Sequence, residues 1–198
     1  GGGGSAFNPP NGYAVPNAKT TTDGGSGAGG RRTNPNADPS YTAAQSSAIQ
    51  PTQNPSYPVT LNNYGNDGGQ AESGGATYWF GGGGGGAGAA GETFDGGRDG
   101  GAGQPFTNFP APVISPGVPS PNQTAFQNAV TPTGLFAGGG GGSSETPAST
   151  GEGGPGGGGD GTNSPGNHGV YGTGGGAGSG GGGGGYGGSG LVCIRYLT

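Results

Sequence analysis

The chain contains no methionine and only one cysteine, one histidine and one tryptophan in 198 residues. A single cysteine excludes an internal disulfide framework and any metal site built from several cysteines. Only 26% of the residues are hydrophobic and 8% are charged, far below the usage of ordinary globular domains. The sequence therefore lacks the material for a conventional side-chain core. The absence of methionine further predicts a processed product or a fragment.

Charge and hydrophobicity argue against two further classes of protein. The net charge is -5, and the five basic residues form no basic stripe that could replace counterions along a phosphate backbone. No apolar run approaches the roughly 18 residues that a membrane span requires. We therefore expect neither a nucleic-acid partner nor membrane insertion.

Glycine is what the chain has in abundance, with 59 of 198 residues. Disorder is the ordinary interpretation of such a composition. If the chain is ordered, its amides need partners outside helices and long strands, because glycine is unfavourable in the interior of both. Polyproline II segments have three residues per turn and no internal hydrogen bonds, so their amides are free to bond to neighbouring segments. The glycine runs lack the Gly-X-Y register of collagen. We predict a mostly irregular fold, a glycine-rich polyproline/polyglycine II helical sandwich with a few short β-strands and almost no α-helix.

Glycine blocks alternate with spacers rich in Pro, Asn and Thr, which we interpret as an alternation of segments and turns. Region 1–63 is predicted to be a Gly/Pro/Asn/Thr-rich segment that packs on the glycine core or acts as a linker. Region 64–198 is predicted to be a polyglycine II domain. Two β-branched or aromatic segments, 76–80 and 190–196, are predicted to be strands that pair and close this domain, with Cys193 buried in the second. Segment 104–137 is predicted to be a large exposed loop, in which only residues 125–130 could form a helical turn.

Two parts of the sequence carry a resemblance to a known family. Residues 77–86 read Thr-Tyr-Trp-Phe followed by six glycines, and residues 187–196 end the glycine-rich region with Gly-Gly-Ser-Gly-Leu-Val-Cys-Ile-Arg-Tyr. This order resembles a glycine-rich domain of tail-fibre and other structural proteins of bacteriophages, over about residues 64–196. The alternating architecture is also similar to the tip adhesin of T-even-like phages. The resemblance implies a rigid glycine core with distal loops that bind an outer-membrane protein or a surface polysaccharide.

Groups that could carry out catalysis or bind metal are few. Nothing in the sequence marks His168 and Cys193 as neighbours, so a cysteine–histidine nucleophile is not expected. Carboxylates such as Asp95 and Asp99 could pair for glycoside cleavage, and with Asp160 they could hold a structural calcium ion. Their positions in turn-like spacers favour solvated loop charges instead. We predict no enzymatic activity, no cofactor and no metal.

Aromatic side chains in or beside the spacers are the predicted contact residues. Aromatic rings beside Asn, Thr and Gln are suited to contacts with sugars or proteins. The alternative is that these rings pack over the outer faces of the glycine core. The predicted receptor-binding residues are Phe94, Phe106, Phe109, Phe126, His168 and Tyr171. The predicted contact loops are 92–95, 104–137, 143–150 and 162–171.

The leading hypothesis is a non-catalytic receptor-binding adhesin at the distal end of a phage tail fibre, located in the virion. A rigid core would hold the loops so that little loop entropy is lost on binding. Its partners would be a bacterial cell-surface receptor and other fibre or virion proteins or copies of itself. The alternative is a self-assembling structural subunit of a fibre, a capsid decoration or an extracellular filament. A third hypothesis is an ice-binding protein, against which the irregular spacers and the aromatics argue.

Overall fold

The computed structural model describes residues 64–71, 80–131, 133–144, 150–181, 183–194 and 196, together with Gly2 and Gly29. Most of the predicted region 1–63, residues 76–79 of the first predicted strand and residues 145–149 of one predicted contact loop lie outside the described residues. The regular elements of the described chain are two short α-helices, one 3-10 helix and a two-stranded sheet. The prediction of a mostly irregular fold with little helix and few short strands is confirmed at this level.

All the regular elements lie between residues 104 and 136. Their order is β1 (Gln104–Pro105), α1 (Ala111–Ile114), a 3-10 helix (Ser115–Gly117), α2 (Gln123–Val130) and β2 (Leu135–Phe136). β1 and β2 pair antiparallel, with Gln104 opposite Phe136. The sheet therefore joins the two ends of one inserted unit. Within the described ranges no helix has the length and apolar character needed to cross a bilayer.

The rest of the described chain is dominated by a glycine core of elongated segments that are neither helix nor strand. Its segments include 81–86, 90–92, 98–103, 137–144, 151–154, 158–161 and 175–181, and an outer segment, 183–189, lies beside them. The chain folds back at the bend 87–89 and at the turn 155–157. Backbone amides donate to carbonyls on other segments, and the donors recur at every third residue. Along 81–87, for example, the amides of residues 81, 84 and 87 donate to the carbonyls of residues 143, 140 and 137. Each segment thus presents a different row of amides to each neighbour.

Residues 138–142 lie at the centre of the glycine core. Each of these five residues donates one backbone hydrogen bond and accepts another, all from other parts of the chain. The partners lie at Gly2, Gly84, 98–101, 151–154, 156–159 and 176–179. A Cβ added at any of these five glycines would overlap a backbone carbonyl oxygen of a neighbouring segment. Glycine is therefore required here by the close approach of backbones on all sides.

The hydrogen-bond register defines two ends of the glycine core. At one end, here called the lobe end, Gly103 N donates to Pro155 O at 2.7 Å and Ala137 N donates to Thr173 O at 2.9 Å. Towards the other end, Gly142 N donates to Arg98 O at 2.8 Å. This second end is called the acidic end because it carries Glu92, Asp95, Asp99, Glu152 and Asp160.

Residues 104–136 fold into a compact unit, here called the helical lobe, at the lobe end of the core. The prediction of a large exposed loop is wrong for this segment. Phe126 and Val130 are one turn apart on α2, so they share a face and pack against Ala111 and Val118. This cluster is the hydrophobic core of the described residues, and Ile114 and Phe136 pack against it.

Helix α2 contains residues 125–130, the stretch for which the sequence predicted a helical turn, and begins two residues earlier. It ends at Val130 because the next residue, Thr131, precedes a proline and takes an extended conformation, with φ -77° and ψ 148°. Gly134 then turns the chain back with φ +67°, and its amide donates to Val130 O at 2.8 Å. This left-handed position favours glycine.

The end of the described chain differs from the predicted closing strand. Residues 190–194 form no strand, and Cys193 is exposed, not buried. Phe80, the last residue of the other predicted strand, bridges to Ser144 instead. The reason is geometric: the bridge to Ser144 places Phe80 at the acidic end of the core, whereas Gly190 leaves the core at the lobe end. Arg195 lies outside the described residues.

Candidate functional site

Four aromatic rings form a continuous series at the lobe end. The Tyr64 ring meets Phe106 edge-on with centroids 5.4 Å apart, and Phe136 lies 6.1 Å from both Phe106 and Phe126. The series runs from the surface at Tyr64 to Phe126, which has 0% exposure. Such pairs each contribute about 0.5–1.5 kcal/mol beyond their buried area. The series therefore holds Phe106 in position between the lobe core and the surface.

A groove of about 390 Å³ opens beside these rings. Three parts of the described chain line it: a wall of Phe106, Phe109 and Phe136, the turn 172–174, here called the floor, and a second wall of Gly190, Leu191 and Cys193. The volume lies within the range of about 300–1,000 Å³ that is typical of ligand pockets. None of the described lining residues carries a charge. The groove is therefore a neutral, largely apolar site at the join between lobe and core.

The floor of the groove is held in one conformation by hydrogen bonds. Gly172 N donates to Ser189 Oγ at 2.9 Å, and Gly174 N donates to Ser189 O at 2.8 Å. The hydroxyl of Thr173, which is 3% exposed, donates to Val170 O at 2.7 Å and accepts from Gly175 N at 3.1 Å. Gly172 has φ +81°, and a Cβ there would come within 3.2 Å of the Phe126 ring. The floor is thus a fixed turn that requires glycine.

The structure brings four of the six predicted contact residues to the lobe end. Phe106 and Phe109 line the groove, and Tyr171, 44% exposed, directly precedes the floor. Phe126 also lies here, but it is fully buried in the lobe core. The prediction of Phe126 as a receptor contact is therefore wrong, because packing against Val118, Val130 and Phe136 leaves no ring surface for a partner.

The other two predicted contact residues lie elsewhere. Phe94 is at the acidic end, where its amide donates to Gln70 O at 2.9 Å and its carbonyl accepts from Arg98 Nη1 at 2.6 Å. His168 is exposed on the side of the core, with its ring stacked on Tyr186 at 5.1 Å. The six residues therefore do not form one surface, and the predicted contact loops are divided between the two ends.

Phe136 also lines the groove and lies within the predicted contact loop 104–137. Sequence reasoning did not predict Leu191 and Cys193 as lining residues, nor Tyr64 as a support for Phe106. Residues 191–194 are all apolar, so the sequence does not show which of them face the groove. Nothing in the sequence indicates that Tyr64 packs against Phe106, because the two residues are distant along the chain.

The carboxylates of the acidic end cap neighbouring turns. Asp99 Oδ1 accepts from Glu152 N at 2.6 Å, and Asp160 Oδ1 accepts from Gly153 N at 2.8 Å. Asp160 Oδ2 also accepts from Asn167 Nδ2 at 3.3 Å. In the part of the chain that the structure describes, no three His, Cys, Asp or Glu residues are grouped so that they could hold a metal ion. These acids are therefore accounted for by the turns that they hold together.

In comparisons with known proteins, no protein-family model, curated protein or solved structure matches this chain.

Proposed function

We propose that this chain is a non-catalytic receptor-binding adhesin at the distal end of a phage tail fibre. In this proposal the glycine core is a polyglycine II sandwich, and the lobe end contacts a receptor on the bacterial surface. The observation that carries the proposal is the division of the described chain into two parts. A core held by backbone hydrogen bonds presents, at one end, a neutral lobe and an aromatic groove.

The polyglycine II assignment is supported by the pattern of backbone contacts in the core. Hydrogen-bond partners recur at every third residue, which is the repeat of a helix with three residues per turn. Residues 138–142 are surrounded by six other stretches of chain, as in a hexagonal stack. Most glycine Cα atoms in the core also point a hydrogen at a neighbouring carbonyl oxygen, and such contacts add weak stabilisation. In a core of this kind, few backbone torsions can change without breaking a hydrogen bond.

The helical lobe has the surface chemistry of a contact region. Residues 104–136 contain no charged side chain. The exposed polar residues include Thr107, Asn108, Thr124 and Asn128, whose amides and hydroxyls can both donate and accept hydrogen bonds. Since the aromatic series fixes the lobe on a rigid base, a partner that binds here orders little additional chain.

The test is binding of the purified chain to a panel of bacterial strains. Replacing residues 107–133 with Asn-Gly would join β1 to β2 by a tight hairpin and remove the lobe without disturbing the core. We expect strain-selective binding that disappears in this variant. Two matched variants, Phe109→Ala at the groove and Phe94→Ala at the acidic end, show which end contributes to cell binding. We expect only Phe109→Ala to weaken it. Undiminished binding without the lobe would refute the proposal.

A second function, a self-assembling structural subunit, is favoured by one observation. Tyr186, Val192, Ile194 and Tyr196 are 78–85% exposed within the last part of the described chain. Contiguous exposed apolar side chains often mark association surfaces. Regular filaments in electron micrographs, together with no binding to any strain, would favour this alternative over the adhesin.

A further inference from the structure

One wall of the groove is a stretch of chain whose backbone groups have no hydrogen-bond partner among the described residues. Residues 190–194 make no backbone hydrogen bond to any other described residue. Their side chains alternate: Leu191 and Cys193 line the groove, while Val192 and Ile194 are 85% and 80% exposed. This alternation is that of a β-strand, whose free edge is a template for pairing with another chain.

The polarity of the groove restricts the class of ligand. A sugar carries hydroxyls on most of its ring carbons, and each hydroxyl that is buried without a partner costs about 1–3 kcal/mol. The described lining supplies three phenylalanines, a leucine and a cysteine, and the one hydroxyl in it, on Thr173, already makes two hydrogen bonds. A charged ligand would likewise find no counter-charge among these described residues. The groove is complementary to an uncharged ligand with an apolar side chain.

We infer that the groove binds an uncharged, extended polypeptide segment, which adds as a strand to the free edge of residues 190–194. This inference rests on the proposed function and names its partner as a protein. Strand addition supplies main-chain partners for the free amides and carbonyls. It also places alternate side chains of the added strand on the same face as Leu191 and Cys193. One of these side chains then fills the space in front of Phe109.

The fixed floor makes this arrangement specific to one register. Ser189, the residue before the free stretch, is held by Gly172 and Gly174, so the strand begins at a defined point. The phenylalanine wall is fixed in turn by the ring contacts of Phe106 and Phe136. An added strand therefore meets both its backbone partners and its side-chain pocket without reorganising the site.

The test uses a defined probe, the neutral peptide acetyl-Ser-Val-Thr-Phe-Thr-Val-Ser-amide, and the full chain labelled with ¹⁵N. We expect saturable binding, with chemical-shift changes and slowed amide exchange concentrated at residues 190–194. Phe109→Ala should lower the affinity for the peptide at least about tenfold, which corresponds to about 1.4 kcal/mol of binding free energy. Phe94→Ala, at the opposite end, should leave its affinity unchanged.

Two N-methylated versions of the peptide, each blocking one alternate set of amides, distinguish strand addition from apolar partitioning. In a strand added at one edge, only one set of amides faces the protein. We expect one version to lose binding and the other to retain it. Equal effects of the two versions would overturn the inference. So would binding of maltohexaose at the groove in place of the peptide, or concentration-dependent dimerisation that protects the same amides. If the peptide fails while strain-selective cell binding still requires the lobe, this inference fails and the proposed function stands.

Discussion

The glycine core and the helical lobe are held together by different atoms. Around residues 138–142 the contacts are backbone amides and carbonyls, and a single Cβ would collide with a neighbouring backbone. In the lobe, four buried side chains make the contacts, and Phe126 fills the centre. The two parts of the chain therefore respond in opposite ways to a change in side-chain volume. Added volume is damaging in the core, whereas removed volume is damaging in the lobe.

The largest effect is expected from Gly139→Ala, which tests the rule for the core. The new Cβ would overlap the Gly84 carbonyl oxygen and lie 3.0 Å from Gly101 N, and neither backbone can move without breaking its own hydrogen bonds. We expect a loss of about 3 kcal/mol or more in the free energy of unfolding, measured by scanning calorimetry. The matched control is Gly184→Ala in the outer segment, where the nearest atom is 3.8 Å from the new Cβ. This control should change stability by no more than about 0.5 kcal/mol. Equal stability of the two variants would contradict the rule.

Phe126→Ala tests the rule for the lobe. Emptying this fully buried site should destabilise the lobe by about 3–5 kcal/mol, because the cavity cannot collapse against fixed neighbours. Amide exchange should accelerate across residues 111–131 and remain slow at residues 138–142. Val113→Ala, at a position with 71% exposure, serves as the control and should alter neither region. If Phe126→Ala also exposes the core amides, the two parts form a single cooperative unit.

Thr173→Val tests the groove floor, which lies where the helical lobe meets the glycine core. The substitution keeps the shape of the side chain but removes the acceptor of Gly175 N, and it leaves Val170 O with only the Thr173 amide as donor. A buried group left unpaired, as Gly175 N would be, costs about 1–3 kcal/mol. We expect a loss of stability of that size and a groove floor that exchanges faster. Thr107→Val, on an exposed side chain of the lobe, should show neither change.

The smallest effect is expected from His168→Phe at the outer segment. Here the acceptor for Tyr186 N is the imidazole Nδ1, at 2.8 Å, and not a backbone carbonyl. Phenylalanine retains the stacking on Tyr186 but removes the acceptor. Exchange of the Tyr186 amide should become roughly tenfold faster, the equivalent of about 1.4 kcal/mol. His168→Asn, which supplies an acceptor oxygen, should restore most of the protection. No difference between the two variants would show that this bond contributes nothing.

The composition was sufficient to predict the coarse fold. Abundant glycine excludes long helices and strands, and residues 125–130 were the one stretch of segment 104–137 for which a helical turn was allowed. The lobe was not predicted because prolines at positions 105, 110, 112, 116, 119 and 121 interrupt any helical or strand period. Only Phe126 and Val130 of its core share an element, and Ala111 and Val118 come from other short stretches, so no single window of sequence contains the whole pattern.

The groove could be predicted only in part. Phe106 and Phe109 were identified because aromatic residues in a polar spacer are unusual. The second wall, Leu191 and Cys193, is distant in sequence, and its short β-branched and apolar segment was interpreted as a closing strand with Cys193 buried. Which backbone approaches which depends on the register of glycine segments, and a run of identical residues does not encode register. The pairing of Phe80 with Ser144 depends on this register and could not be predicted for the same reason.

The separation of the acidic end from the neutral lobe gives the described chain an electrical polarity. Asp99 and Gly103 are separated by four residues of elongated chain, about 12 Å at ~3.1 Å per residue, which exceeds the screening length of about 8 Å in physiological salt. Bacterial envelopes are negatively charged. If the chain acts as the proposed adhesin, the carboxylates would be repelled near such an envelope while the lobe would experience little force, so the lobe would be turned toward the cell before any contact forms. In that case electrostatics would provide the orientation required for adhesion during approach, and the effect should weaken as added salt shortens the screening length.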